Sequence, residues 1–146
     1  KPMQHKLIDK RNNNGLSRLL FGEISEGAIN HLKINDFELD VLTAGPVPPN
    51  PAEMLASKTM EEILATCSDN YDYIIIDTPP LLAATDAQIL SRAADATLLV
   101  VDMKICERQQ IIEAKKRLDN VGANFLGVVA NKLDLHENNY YYYNYK

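Results

Sequence analysis

The stretch Tyr73-Ile74-Ile75-Ile76-Asp77-Thr78-Pro79-Pro80 limits what this chain can fold into more than any other. Three β-branched isoleucines run into an aspartate, and a Thr-Pro-Pro turn comes next. An unbroken apolar run ended by prolines, which cannot donate to a sheet ladder, predicts a strand buried on both faces. Asp77 then stands at the strand's carboxyl end, the edge of an open α/β sheet where ligands bind. A carboxylate there holds Mg²⁺, directly or through water, or it caps the next turn. The stretch alone leaves both open.

The rest of the chain supplies partners for such a strand. Ala96 to Asp102 is a second apolar run ending in an acid, and Phe125 to Ala130 is a third, ending at Asn131-Lys132. Helices are predicted between them. One runs from Thr85, a plausible N-cap, through Ala94. The other spans Glu107 to Asp119, with Ile111, Ala114 and Leu118 on one face and Glu113 four residues before Arg117. Strand–helix–strand–helix–strand with continuous apolar strands predicts an α/β fold, a mostly parallel sheet flanked by helices on both faces. Asp77, Asp102 and Asn131-Lys132 then share one rim. Asp102 reads as a strand terminator only.

Upstream the pattern is weaker. Lys1 to Asn14 is polar and basic, a solvated face or an anion-holding arm. Leu16 to Phe21 predicts a short helix capped by Ser17 and ended by Gly22. Gly27 to Ile34 reads as an amphipathic segment, and Asp36 to Leu42 alternates as a half-buried strand. Thr43 to Pro51 is a stiff proline-dense loop. A short helical turn is predicted at Ala52 to Ala56, then a helix from Thr59 to Cys67 that Asp69-Asn70 breaks.

Composition narrows the classes. With 46% hydrophobic and 24% charged residues, the chain can bury a core. A net charge of −5 argues against a general nucleic-acid binder. The apolar runs are strand-sized, which predicts no membrane-spanning helix, and no signal peptide is visible. Cys67 and Cys106 stand alone and read as structural thiols rather than a disulfide or zinc site. Lys1-Pro2-Met3 is not an initiator sequence and reads as the interior of a longer polypeptide. The tail, Tyr140-Tyr141-Tyr142-Tyr143-Asn144-Tyr145-Lys146, cannot place its tyrosines on one face. It is a stacking surface, sticky packing or a set of phosphate acceptors.

Taken together these motifs resemble the cytoplasmic kinase domain of bacterial tyrosine kinases (BY-kinases) of capsule and exopolysaccharide synthesis. Those kinases are P-loop NTPases related to the MinD/ParA ATPases. Ile74 to Pro80, with Thr85-Asp86-Ala87, resembles the family's Walker B region. Leu42 to Glu53 resembles its proline-rich signature. Gly127 to Lys132 resembles the strand and loop that approach the adenine. Lys1-Pro2-Met3-Gln4-His5 resembles the residues directly after the second Walker motif, and the tail resembles the autophosphorylated tyrosine cluster. The Gly-x-x-x-x-Gly-Lys-Ser/Thr phosphate loop and the acid-x-acid-x-Arg motif are not in the sequence. By the resemblance they and N-terminal strands of the sheet lie upstream, so apolar edges are expected to be unpaired.

The resemblance implies an ATP-dependent protein-tyrosine autokinase. Residues 1–135 would be a partial P-loop kinase domain, inactive by themselves, and residues 136–146 a flexible tyrosine cluster. Asp77 would be catalytic, holding Mg²⁺ through its water shell. Asp86 would serve the same shell, or else only the helix dipole. Asn131 and Lys132 would meet the adenine of ATP, or else form an exposed turn. Tyr140, Tyr141, Tyr142, Tyr143 and Tyr145 would be phosphorylated in trans. The implied partners are a membrane-anchored activator at the inner face of the cell membrane, other copies of the kinase and a cognate tyrosine phosphatase, with no nucleic acid. Two other classes remain: a non-catalytic P-loop-like interaction module, and a MinD/ParA-type ATPase, which has no use for the tyrosines.

Overall fold

Capping groups, glycines and backbone pairing decide where each element starts and stops. The computed structural model describes residues 3–24 and 27–133. It divides into two compact units, residues 1–75 and residues 76–146.

The first unit carries α1 (Gln4–Leu7), α2 (Leu16–Leu20), β1 (Ile29–Ile34), β2 (Phe37–Leu42), α3 (Pro51–Leu55) and α4 (Lys58–Asn70). Ser17 does not cap α2; Gly15 holds that position and Ser17 lies inside the helix. The reason is tertiary. The Leu16 and Ser17 amides donate to the carbonyls of Thr43 and Ala44 at 2.8 and 3.0 Å. These bonds satisfy first-turn donors that a capping side chain would otherwise take. Gly22, at φ +70°, comes after the helix where an αL residue is needed.

The segment expected to be amphipathic is strand β1, paired antiparallel with β2 from Ile29↔Leu42 to Ile34↔Phe37. Asn35, at φ +55°, makes the tight connection, a conformation that asparagine tolerates. β2 is a strand, as its alternation predicts, but Phe37 and Leu39 are exposed and burial begins only at Asp40. Pro51 opens α3 at N1, where its missing N–H costs nothing. Ser57 caps α4, its hydroxyl accepting from the Met60 amide at 3.3 Å. α4 runs on through Asp69-Asn70 instead of breaking there and ends at Tyr71.

The second unit carries α5 (Asp86–Ser91), β3 (Thr97–Asp102), α6 (Arg108–Asn120) and β4 (Phe125–Asn131). Gln110 Oε1 accepts from the Glu107 amide at 2.9 Å, which closes the start of α6. The predicted helix face is the one that packs. Leu118 is 1% exposed and joins Ala114 and Leu81 in a core, with Leu99, Ala87 and Phe125 against it. Glu113 and Arg117 pair at 2.9 Å, and Lys115 sits 5.6 Å above the Phe125 ring. β3 and β4 pair in parallel across the α6 crossover. An irregularity after Thr97 leaves Leu126 as the extra residue.

The isoleucine run departs from expectation. Residues 73–76 form no ladder, and Ile75 is 92% exposed. β-branched residues raise the propensity for a strand but cannot supply the neighbour that makes one. No described segment offers that edge. β3 is likewise covered on one face only. Leu99 packs against the core and Val101 is buried, whereas Leu98, Val100 and Val129, on the other face by register, are exposed. Among the described residues no helix is long and apolar enough to cross a membrane.

Candidate nucleotide-binding rim

Parallel pairing brings the carboxyl ends of β3 and β4 level, with Asp102 opposite Asn131. The Met103 amide donates to the Asn131 carbonyl at 3.0 Å and locks the two ends together. Lys132 then turns at φ +57°, its amide donating to its neighbour's Asn131 Oδ1 at 2.9 Å. That turn swings the Lys132 ammonium onto Asp102 Oδ2. The Lys104 amide donates to Asp102 Oδ1 at 3.1 Å. The Lys132 bond first, and the Lys104 amide after it, hold the Asp102 carboxyl below the usual carboxylate range.

Asp102 is therefore more than a strand terminator. It takes the charge of Lys132 and fixes where that side chain goes. Sequence reasoning passed over it, although two strands ending in Asp and Asn-Lys at matching positions carry the signal. Asn131 and Lys132, both exposed, come together with the half-buried Asp102 as one cluster.

Asp77 lies in the same unit as that cluster, exposed, on a segment with no ladder. The turn after it is pinned. Leu81 is buried against α6, and the Ala83 and Ala84 amides donate to the Pro80 carbonyl at 2.9 and 3.2 Å. Asp86 is half-buried in the first turn of α5, where a carboxylate suits the helix dipole. Thr85 occupies the N-cap position without a capping side-chain bond. No group of three metal-capable side chains occurs among the described residues. The donor chemistry fits Mg²⁺ all the same, because this ion takes one or two carboxylates and fills its octahedron with water and phosphate oxygens. Tyr140 to Tyr143 and Tyr145 lie outside the described residues.

The first unit contains two further constellations. The Asn12 side chain clamps the proline-rich segment: Nδ2 donates to the Gly45 carbonyl at 2.6 Å, and Oδ1 accepts from the Gly45 amide at 3.0 Å. The buried Thr43 hydroxyl donates to the Asn14 carbonyl at 3.1 Å. Gly15 and Gly45 approach so closely that a Cβ on Gly15 would meet Gly45 N at 2.4 Å. Separately, Asp40 is shared. Oδ1 pairs with His31 Nδ1 and Oδ2 accepts from the Tyr71 hydroxyl, both at 2.6 Å. The Tyr71 bond, with His31 after it, lowers the Asp40 carboxyl, and the same bond raises the Tyr71 phenol.

Comparison with known proteins places this geometry in a family. Residues 27–137 match the family model described as an AAA domain. The chain belongs to that AAA domain family. Its relatives there are bacterial tyrosine-protein kinases, as the sequence resemblance anticipated. It is 42% identical over 145 residues to the tyrosine-protein kinase YwqD of Bacillus subtilis, covering 97% of this chain and 60% of that protein. It is 39% identical over 146 residues to CapB of Staphylococcus aureus, covering 99% of this chain and 63% of that protein. The chain thus spans somewhat under two thirds of these relatives.

The kinase domain of Escherichia coli tyrosine kinase ETK superposes with a TM-score of 0.81 at 32% identity, over 92% of this chain and 54% of that one. The crystal structure of the chimerical protein CapA2B2 gives 0.85 at 38% identity, over 91% and 58%. These neighbours bear out the α/β P-loop NTPase class. Asp77, Asp86, Asn131 and Lys132 all fall inside the matched AAA domain span.

Proposed function

We propose that the chain is part of an ATP-dependent protein-tyrosine autokinase acting in capsular or exopolysaccharide synthesis. The observation that carries this reading is the similarity to YwqD along 97% of the chain. In it, residues 1–135 form part of a P-loop kinase domain and residues 136–146 are its substrate tail. Tyr140 to Tyr143 and Tyr145 accept phosphate in trans from a neighbouring copy.

Asp77 and Asp86 would hold Mg²⁺ through its water shell. When bound, that ion neutralises charge on the transferred phosphoryl group. The residues of the chain itself position the nucleotide. Asn131 offers its amide to the adenine edge, and Asp102 keeps the Lys132 ammonium beside it rather than loose in solvent. Upstream sequence of the kind the relatives possess would supply the phosphate loop and the strands that pair with residues 73–76. Without it the 146-residue chain is expected to be inactive. A membrane-anchored activator brings the kinase to the inner face of the membrane, and a phosphatase resets the tail.

The test is an ATP-dependent anti-phosphotyrosine signal on the full-length protein. It should disappear when the five tail tyrosines become Phe, and Asp77→Ala should lower it by more than about tenfold. A full-length protein that makes no phosphotyrosine would leave the interaction-module class standing instead.

A further inference from the structure

The first unit contains a cavity of about 610 Å³ between α2, the β1–β2 hairpin and α4. Leu19, Ala28, Ile29, Leu42 and Ile63 wall it, so its body is aliphatic. Apolar walls, this volume and a few convergent polar groups are the properties of a small-ligand site.

The polar groups are of one kind. Glu62, Thr66 and His31 line the same space, and each presents an acceptor. The Glu62 carboxylate accepts only. The Thr66 hydroxyl gives its hydrogen to the Glu62 carbonyl at 2.8 Å, which leaves its lone pairs. His31 Nδ1 is 2.6 Å from Asp40 Oδ1, and the Tyr71 hydroxyl donates to Oδ2 of the same carboxylate. Tyr71 first, then His31, hold the Asp40 carboxyl below its usual range, so Asp40 is an acceptor and Nδ1 carries the hydrogen. In the neutral ring Nε2 is then left as an acceptor. Acceptors around an aliphatic space call for a donor-rich cation on an apolar body. An anion would meet the charge of Glu62 instead. The chain itself shows the match, because the Lys58 ammonium lies 3.5 Å from Glu62 Oε1. That pair is exposed on both sides and worth little, so an incoming ammonium displaces it at small cost.

We infer that this cavity binds an aliphatic primary ammonium ligand, its chain against Ile29, Leu42 and Ile63 and its ammonium donating to Glu62, Thr66 and His31. The site lies wholly in the first unit, apart from the rim of β3 and β4, and it does not rest on the kinase reading.

The test is calorimetric titration of n-hexylammonium chloride onto the full-length protein, with n-hexanol and sodium n-hexanoate as neutral and anionic counterparts. Saturable binding of hexylammonium is expected, about tenfold or more tighter than that of either counterpart. Glu62→Gln should weaken it by a similar factor. Thr66→Val, which keeps shape and charge, should weaken it as well, and Lys58→Ala should not. All three positions are exposed, so the thermal midpoints should stay close to the parent's. Cys67 lines the same cavity, whereas Cys106 is exposed in the second unit. Hexylammonium should therefore slow alkylation of Cys67 by N-ethylmaleimide and leave Cys106 unchanged. Absence of saturable binding overturns the inference. So does equal affinity for hexanol or hexanoate, binding that neither Glu62→Gln nor Thr66→Val changes, or equal protection of the two thiols.

Discussion

Asp102 shows how much one carboxylate depends on its neighbours. Lys132 and the Lys104 amide lower its titration, so its folded form is favoured while the group is ionised. That contribution is complete above the ordinary carboxylate range and is lost as pH falls through the lowered value. Asp102→Asn should therefore melt below the parent at neutral pH, and the two midpoints should converge in strong acid. Tyr71 has the opposite sign, because Asp40 raises its phenol. Its contribution is complete below the usual phenol range and is lost as pH rises through the raised value. The gap in melting temperature between Tyr71→Phe and the parent should be present at neutral pH and close in alkali. A gap that is constant across pH would mean these bonds do not form in solution.

At the scale of elements, α6 is the best specified piece of the chain. Its buried stripe at Ala114 and Leu118 meets Leu81, Leu99 and Phe125. Leu118→Ala should cost about 2–5 kcal/mol in urea unfolding, because a cavity opens where the structure cannot collapse. Ser57→Ala removes the one capping oxygen of α4 and should cost about 1 kcal/mol. α2 is held differently. Its first amides are bonded to Thr43 and Ala44, and Gly15 lies against Gly45. Gly15→Ala has no room for its methyl group and should loosen the proline-rich segment. Backbone amide exchange at Gly45 would report this directly, and unchanged protection there would contradict the clamp.

For the whole molecule, the exposed apolar surface is the dominant fact. Leu98, Val100 and Val129, which the register sets on one face of the parallel pair, are all exposed. Contiguous apolar surface of this sort marks an interface rather than a finished exterior. The 146-residue chain should bind a hydrophobic dye such as ANS. Val100→Lys, at a position 62% exposed, should lower that signal by about half without lowering the melting temperature. A longer form carrying the upstream strands proposed above should bind far less dye. Equal dye binding by both forms would mean that the upstream segment does not cover this face.

Local chemistry made much of this legible in the sequence. The capped amphipathic pattern of α6, the apolar runs of β3 and β4, the alternation of β2 and the proline punctuation each depend on residues a few positions apart. The strand-end placement of Asn131 and Lys132 came from the same patterns, and the family came from motifs quoted residue by residue. What tertiary structure decided involves partners distant in sequence. Asp102 acquires its role from Lys132, thirty residues on. Ser17 is displaced as a cap by carbonyls that Thr43 and Ala44 bring to α2. Residues 73–76 have every local property of a strand and still form none among the described residues. A ladder needs two chains of hydrogen-bonding groups, and a sequence window contains only one of them.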